Sequence, residues 1–348
     1  MKYTTTNIGD EIQSLAALRF IPRIDDYVDR EFLDSFLPAS GQRFKLILNG
    51  WYMHLPKNFP PSQAIDPLLV SMHFCREIRS ILLNSRDTVA YLREHGPVGC
   101  RDLDTMNFLL EHNIPAYHSG CLTLTFTENT TLRASREGDY ILFVNVPDDI
   151  VRYVQGMTDK PVYSISKGVS SHLGSLDKLD LAKVYLFFYH NAYAVVTTNL
   201  HTALPCLAMN TPVCLLEQEH DGGRFNGLAD LVRHCTHSEF LGGYYDVNNP
   251  PANPQDFIAF RDTLIRTCTE FTGYDSGRPT LEDSYRPSAI SLLRMLQSNP
   301  EGAKRAVWSL SGKKLLKAAT VKLWHKVFPP AASVVKEYER SYWQKYLG

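Results

Sequence analysis

The sequence predicts an α/β protein with two parallel-sheet domains that face a cleft. Short apolar runs alternate with helical patterns along most of the 348 residues. Alternation of this kind is typical of parallel sheets whose strands are joined by right-handed helical crossovers. The length suits about two domains of ordinary size.

Eight apolar runs predict strands, and the segments between them carry helical patterns. The predicted strands span residues 45–52, 67–74, 96–101, 114–126, 140–146, 161–166, 193–198 and 212–217. The predicted helices include Asp10 to Phe20, Asp102 to His112, Leu176 to Tyr189 and Leu200 to Met209.

The most polar interior stretch, residues 127–139, is the predicted domain boundary. We expect a Rossmann-like N-terminal domain over residues 1–130 and a Rossmann-like C-terminal domain over residues 138–300. A basic, Trp-containing helical tail is expected over residues 301–348. In such folds ligands bind at the carboxyl ends of strands, where helix N-termini point.

Composition favours a globular cytoplasmic protein. The chain is 44% hydrophobic and 21% charged, with a net charge of −1 at pH 7, so nothing in its global charge indicates a nucleic acid partner. No apolar run approaches the roughly 18 residues of a membrane span, and the N-terminus lacks a secretory signal. Seven scattered cysteines without C-x-x-C spacing predict reduced thiols, with neither a disulfide framework nor a structural zinc site.

His201 lies where a predicted buried strand passes into a helix, in the stretch VVTTNLHTALPCLAMN. A helix N-terminus offers unpaired N–H groups and a partial positive charge, which favour a phosphate or carboxylate. Thr197 and Thr198 are positioned to cap that end, and an imidazole there could donate a proton to a ligand. The alternative is a histidine that only bonds a neighbouring loop.

Three segments resemble the polysaccharide pyruvyl transferase family. They are NIGDEIQSLAA, PVGCRDLDTMNFLLEHNIPAYHSGCLTLTF and TTNLHTALPCLAMNTPVCLL, in the family's order between about residues 3 and 235. The resemblance implies a GT-B-like fold and transfer of pyruvate from phosphoenolpyruvate to a hexose of a surface polysaccharide, usually as a cyclic ketal. No metal is required by that chemistry, and no metal-ligand spacing is present.

The resemblance implies that the residues around His201 hold the donor. The family commonly carries an arginine before the Leu-His pair, where this chain has Asn199 beside Thr198 and Leu200. Asparagine brings no charge, so another cation must replace the arginine. Arg224, in a glycine-rich loop, is one candidate, and its alternative is a solvated side chain.

Two further cations follow predicted strands. Arg101 follows a short strand and suits a carboxylate or phosphate, or else forms a surface ion pair with Asp102 or Asp104. Lys167 precedes a Gly and three serines in a loop that suits an anion, although it lacks Walker A spacing; a plain surface turn is the alternative.

Acceptor-side residues are expected in the N-terminal domain. Asn7 and Gly9 belong to the N-terminal signature, and Gly9 allows close backbone approach to a ligand. Asp10 is a candidate catalytic base for an acceptor hydroxyl, or simply the cap of the following helix. His118 and Ser119 are candidate acceptor contacts, or parts of a packed strand with a polar kink.

The tail combines lysines, tryptophans and an apolar stripe. Its basic residues before position 330 are Lys304, Arg305, Lys313, Lys314, Lys317, Lys322 and Lys326. Residues 304–347 suit an anionic membrane surface, or else a C-terminal helix that packs on the N-terminal domain.

The leading hypothesis is a cytoplasmic pyruvyltransferase, peripheral to the inner face of the membrane if its hexose acceptor is linked to polyprenyl diphosphate. In this scheme His201 delivers a proton to the methylene carbon of phosphoenolpyruvate, or else stabilises the phosphate as a cation. One alternative is a GT-B glycosyltransferase that uses a nucleotide sugar. Another is a noncatalytic membrane-surface partner in polysaccharide assembly.

Overall fold

The chain folds into two parallel β-sheets with helices packed on them, which confirms the α/β class. The computed structural model describes residues 1–3, 5–38, 41–127, 138–168, 174–217, 225–277, 290 and 293–294. The centre of the predicted domain boundary, Arg224 and the predicted tail therefore lie outside the described residues.

The first sheet has four parallel strands in sequential order. Its strands are β1 (Phe44–Tyr52), β2 (Ile65–Phe74), β3 (Val98–Cys100) and β4 (Ala116–His118). Its helices are α1 (Ile8–Leu18), α2 (Arg79–Asn84), α3 (Arg86–Glu94) and α4 (Leu103–Glu111). The predicted helix over Asp102 to His112 matches α4, which begins one residue after its cap, Asp102.

The second sheet has five parallel strands in the order β6-β5-β7-β8-β9. They are β5 (Ile141–Val144), β6 (Val162–Ile165), β7 (Ala194–Thr197), β8 (Val213–Leu216) and β9 (His234–Cys235). The remaining helices are α5 (Asp148–Gln155), α6 (Ser175–Asn191), α7 (Leu200–Ala208), α8 (His237–Leu241) and α9 (Ile258–Thr272).

The strand order of the second sheet reverses at β5. The chain leaves β5 to one side through α5 to reach β6, then returns through α6 to β7 on the other side. Ligands in open parallel sheets bind beyond the carboxyl ends of the strands at such a reversal. The carboxyl ends of β5 and β7 are therefore the place where this topology favours a site.

One apolar core joins the two sheets. Its buried residues include Ile47 and Val70 from the first sheet and Leu142 and Val144 from the second. Helix α1 contacts β1 and also packs on α6 and α7. Because α1 contacts both halves of the chain, residues at its N-terminus are held close to the second sheet.

The predicted strand over residues 114–126 is wrong beyond its first part. Only Ala116–His118 is extended, and a 3-10 turn follows at Leu122–Thr125. The chain bends at Gly120, whose φ of +71° is in the left-handed region that favours glycine. Apolar alternation in this segment thus reflects a buried turn, and the short strand β9 was not predicted.

Two further observations bear on the composition-based expectations. All seven cysteines lie within the described residues, where they are buried, and no disulfide joins any of them. Among the helices that the structure describes, none has both the length and the apolar character needed to cross a bilayer.

Candidate functional site

His201 lies in the first turn of α7, directly beyond the carboxyl end of β7, as the sequence predicted. The side chain is half-buried. It therefore lies beside the strand-order reversal, at a helix N-terminus whose first N–H groups favour an anion.

Thr198 and Asn199 hold the end of β7 against the end of β5. The Thr198 hydroxyl donates to the Asn145 carbonyl at 2.9 Å. The Asn199 amide nitrogen lies 3.5 Å from the Val144 carbonyl, and its side chain caps nothing. The predicted threonine cap is therefore wrong: Thr197 Oγ1 accepts the Asn199 N–H at 3.0 Å, outside the helix, and bonds Val144 on its other side.

The N-terminus of α1 lies against His201. Asn7 caps this helix by accepting the Gly9 N–H at 3.0 Å, so the prediction that Asp10 is the cap is wrong. The Ile8 N–H donates to the Lys167 carbonyl at 3.1 Å, and Asn7 forms a bridge with Gly168. The N-terminal signature is thereby tied to the loop after β6, next to His201.

Gly9 is in direct contact with the imidazole. A Cβ at this position would lie 3.1 Å from both Cβ and Nδ1 of His201, and 3.1 Å from Asn7 Oδ1. Real Cβ contacts are seldom that short, so any side chain here must displace the ring or the cap. The close contact with His201 and Asn7 therefore favours glycine at this position, whereas the backbone angles of Gly9 do not require it.

Alanine at Gly9 is expected to displace the His201 ring and weaken phosphate binding several-fold, with little loss of stability. Phosphate affinity and the thermal midpoint would be measured together for this variant. Gly156→Ala is the matched control, because a Cβ there has only ordinary contacts. Unchanged phosphate affinity in Gly9→Ala would show that this contact does not govern an anion site.

Arg101 reaches His201 from the other sheet. It follows β3, its side chain is 2% exposed, and its Nη1 lies 3.5 Å from His201 Nε2. A guanidinium is always a donor, so a hydrogen bond between these two groups uses the imidazole Nε2 as the acceptor. The Arg101 backbone is fixed as well, because its N–H donates to the Met72 carbonyl at 2.8 Å.

The ion pair predicted as the alternative for Arg101 exists, but it is buried rather than on the surface. Asp102 Oδ2 lies 3.6 Å from Arg101 Nε, and the Asp102 side chain has no exposed surface. Asp104 instead pairs with Arg76 and Arg79. The pair of Arg101 with Asp102 therefore places a negative charge next to the guanidinium, while Arg101 keeps its contact with His201.

Asp102 also bonds His73, which sequence reasoning missed. His73 Nδ1 lies 2.6 Å from Asp102 Oδ2. Burial raises the pKa of Asp102, but the hydrogen bond from His73 and the charges of His73 and Arg101 outweigh it and lower the pKa to about 2. The carboxylate is therefore ionised at neutral pH. The available signal was the position of His73 near the carboxyl end of a predicted strand.

His118 and Ser119 brace the backbone around Arg101. His118 Nε2 lies 3.3 Å from the Arg101 carbonyl, and burial lowers the pKa of this imidazole. Ser119 Oγ donates to the Cys100 carbonyl at 3.0 Å and accepts the Ser71 N–H at 3.1 Å. These contacts match the packed strand with a polar kink better than an exposed acceptor surface.

Asp10 lies in a separate buried cluster. Its Oδ2 accepts from the Thr5 hydroxyl at 2.7 Å and pairs with Arg30 Nη1 at 3.4 Å. Glu11 and Lys178 are buried beside it. The role of Asp10 as a base stays a prediction, and its observed partners are structural.

The remaining predicted donor residues, Leu200, Lys167 and Arg224, differ in their environments. Leu200 is buried in the shared apolar core. Lys167 donates its backbone N–H to Asn145 Oδ1 at 2.7 Å. Arg224 lies outside the described residues. Within the described ranges, no group of three or more His, Cys, Asp or Glu side chains is arranged to hold a metal ion.

The described site therefore brings the Arg101 guanidinium and the His201 imidazole together with the N-termini of α1 and α7. Arg101, His201, Gly9 and Asn7 are brought together, and His118 lies beside the Arg101 carbonyl. Asp10 and Ser119 have other partners. Such an edge suits a small, multiply charged anion that also needs a proton. No family model, curated protein or solved structure matches the chain.

Proposed function

We propose that the chain is a pyruvyltransferase that moves pyruvate from phosphoenolpyruvate to a hexose of a surface polysaccharide precursor, as a cyclic ketal. The observation that carries the proposal is the contact between Arg101 and His201, which joins the carboxyl edges of the two sheets. Phosphoenolpyruvate carries a phosphate and a carboxylate, and its methylene carbon, C3, must be protonated in this reaction. A guanidinium next to an imidazole meets both needs.

In the proposed reaction the donor replaces the direct contact between Arg101 and His201. Oxygens of the donor accept hydrogen bonds from the guanidinium and from the N-terminus of α7. The negative charge of the donor favours the protonated imidazole, so His201 takes up a proton when the donor binds. Arg101 then binds and orients the donor, while His201 holds the proton to be transferred.

The proposed reaction has two steps, and every proton and the phosphate are accounted for in them. His201 gives a proton to C3 of phosphoenolpyruvate while one acceptor hydroxyl adds to C2, and the proton of that hydroxyl restores the imidazolium. A second hydroxyl then displaces phosphate at C2 and closes the ketal, and its proton leaves with the phosphate. The products are the pyruvate ketal and inorganic phosphate.

The same proposal includes a GT-B-like arrangement, with acceptor binding beside the first sheet and donor binding beside the second. It also includes a cytoplasmic enzyme that meets a polyprenyl-linked acceptor at the membrane surface. The buried amide of Asn199 favours one other candidate, a glycosyltransferase that uses a nucleotide sugar, because this position lacks the cation expected for phosphoenolpyruvate.

Ligand-dependent thermal stability separates these two functions. A ligand that binds only the folded state raises the midpoint, so phosphoenolpyruvate and a panel of nucleotide sugars would be titrated into the wild-type chain. We expect stabilisation by phosphoenolpyruvate, and loss of most of it in His201→Ala. His112→Ala is the control, since this exposed histidine at the end of α4 is bonded to Phe108.

Two outcomes would contradict the proposal. Stabilisation by nucleotide sugars alone would assign the glycosyltransfer function instead. Equal stabilisation of the wild type and His201→Ala by phosphoenolpyruvate would place the donor away from the junction of β7 and α7.

A further inference from the structure

Behind the contact between Arg101 and His201 lies a chain of buried side chains. His73 Nδ1 is 2.6 Å from Asp102 Oδ2, and the same oxygen is 3.6 Å from Arg101 Nε. Arg101 Nη1 in turn is 3.5 Å from His201 Nε2. His73 is 1% exposed and Asp102 is fully buried, so neither can meet a ligand directly.

Asp102 is held at both carboxylate oxygens. Oδ1 accepts the Thr105 N–H at 2.9 Å and thereby caps α4, while Oδ2 faces the His73 ring. Thr105 Oγ1 also lies 3.2 Å from His73 Nδ1. The register of the sheet sets this geometry, because β2 pairs with β3 at Met72 and Cys100, the residues just before His73 and Arg101.

The Arg101 side chain depends on this carboxylate for its orientation. Within the part of the chain that the structure describes, Nε makes no hydrogen bond, and the carboxylate oxygen Oδ2 of Asp102 is the charge that lies 3.6 Å from it. Arginine has several rotatable bonds, so its rigid planar fork is directed at one place only when the side chain is held. A carboxylate without its histidine partner could turn away and release the guanidinium.

We propose that His73 is a positioning residue, which acts through Asp102 to hold the Arg101 guanidinium toward His201. This inference rests on the proposed function for the part that concerns the donor, whereas the orientation of Arg101 is a property of the protein alone. His73 fixes one carboxylate oxygen, that oxygen fixes Nε, and Nη1 is then presented at the anion site.

The test observes Arg101 itself. The 348-residue chain is labelled with ¹⁵N-arginine, and the side-chain Nε–H signal of Arg101 is assigned by its loss in Arg101→Lys. We expect this signal to shift or broaden in His73→Leu, which removes the donor to Asp102. His73→Asn keeps an N–H near the position of Nδ1, so it restores the signal.

Phosphoenolpyruvate affinity, from titration calorimetry, is measured on the same variants. We expect a loss of about tenfold in His73→Leu and recovery in His73→Asn. Asp104→Asn is the matched control, because it also removes ion pairs of α4, those that Asp104 forms with Arg76 and Arg79 rather than with Arg101. Both the Arg101 signal and the affinity remain as in the wild type in this control.

An Arg101 signal that is the same in folded His73→Leu as in the wild type overturns the inference. If His73→Leu does not fold, His73→Gln provides the comparison with His73→Asn, because its longer side chain moves the donor away from Oδ2. If the wild type does not bind phosphoenolpyruvate, the proposed function fails, and the Arg101 signal still decides whether His73 positions the guanidinium.

Discussion

Glutamine in place of Arg101 is expected to weaken phosphoenolpyruvate binding by about 10- to 100-fold, because a neutral amide cannot replace charge-assisted hydrogen bonds. Arg101 brings its guanidinium to within 3.5 Å of His201 Nε2. Its pairing with Asp102 is too long for a hydrogen bond and leaves the donors at Nη1 available for a ligand.

Arg101→Lys shows how much of the affinity for phosphoenolpyruvate depends on the positive charge and how much on the planar shape of the guanidinium. Lysine retains the positive charge but lacks the planar fork, so we expect a smaller loss of affinity than with glutamine. Arg76→Gln is the matched control, because Arg76 is largely exposed and pairs with Asp104. Titration calorimetry across these variants gives the comparison, and equal affinity in Arg101→Gln and the wild type would remove Arg101 from the donor site.

Three strands of the second sheet, β5, β7 and β8, were predictable because each is an apolar run that ends in, or is followed by, a polar residue. Predicted strands over residues 140–146 and 193–198 agree with β5 and β7 to within two residues at each end. Strand β9 was not predicted because it has only two residues. Such a short strand exists through pairing with β8, which local sequence does not encode.

The sequence predicted the positions of those site residues that come soon after a predicted strand. His201 and Arg101 each follow a strand directly, so the parallel topology brings them to a carboxyl edge. His73 meets Asp102 through the register of β2 with β3, a pairing that spans 29 residues of sequence. Nothing in the local pattern around His73 specifies that partner.

The environment of Asp10 was predicted wrongly from the local sequence. Local pattern favoured a cap or a base, since it lies near a helix start, but its carboxylate pairs with Arg30, 20 residues away. Asn7 takes the cap because it precedes the first helical residue and its side chain reaches the Gly9 N–H. Tertiary pairing therefore decided the environment of the acidic residues in α1, including Glu11.

The Glu11 side chain is buried beside these charges. Its side chain is 1% exposed, and neither carboxyl oxygen has a hydrogen-bond partner among the residues that the structure describes. Burial and the nearby charge of Asp10 raise its pKa to about 8, although Lys178 and Arg30 act in the opposite direction. The neutral carboxyl is thus the form that the folded protein prefers.

Glutamine at Glu11 is therefore expected to stabilise the protein in a pH-dependent way. A carboxyl whose pKa is higher in the folded state binds more protons there, so its contribution to stability is lost as pH rises from the unfolded value toward about 8. Glu11→Gln removes this loss. We expect the free energy of unfolding of the variant to exceed that of the wild type by on the order of 3 kcal/mol more at pH 8 than at pH 5.

Urea denaturation of both proteins at the two pH values measures this difference. The matched control is Glu111→Gln, because Glu111 is exposed at the end of α4 and its replacement leaves the buried cluster intact. The free energy of unfolding of this control follows the wild type at both pH values. A difference between Glu11→Gln and the wild type that does not grow from pH 5 to pH 8 would mean that Glu11 is ionised in the folded protein, stabilised by the neighbouring Lys178 and Arg30.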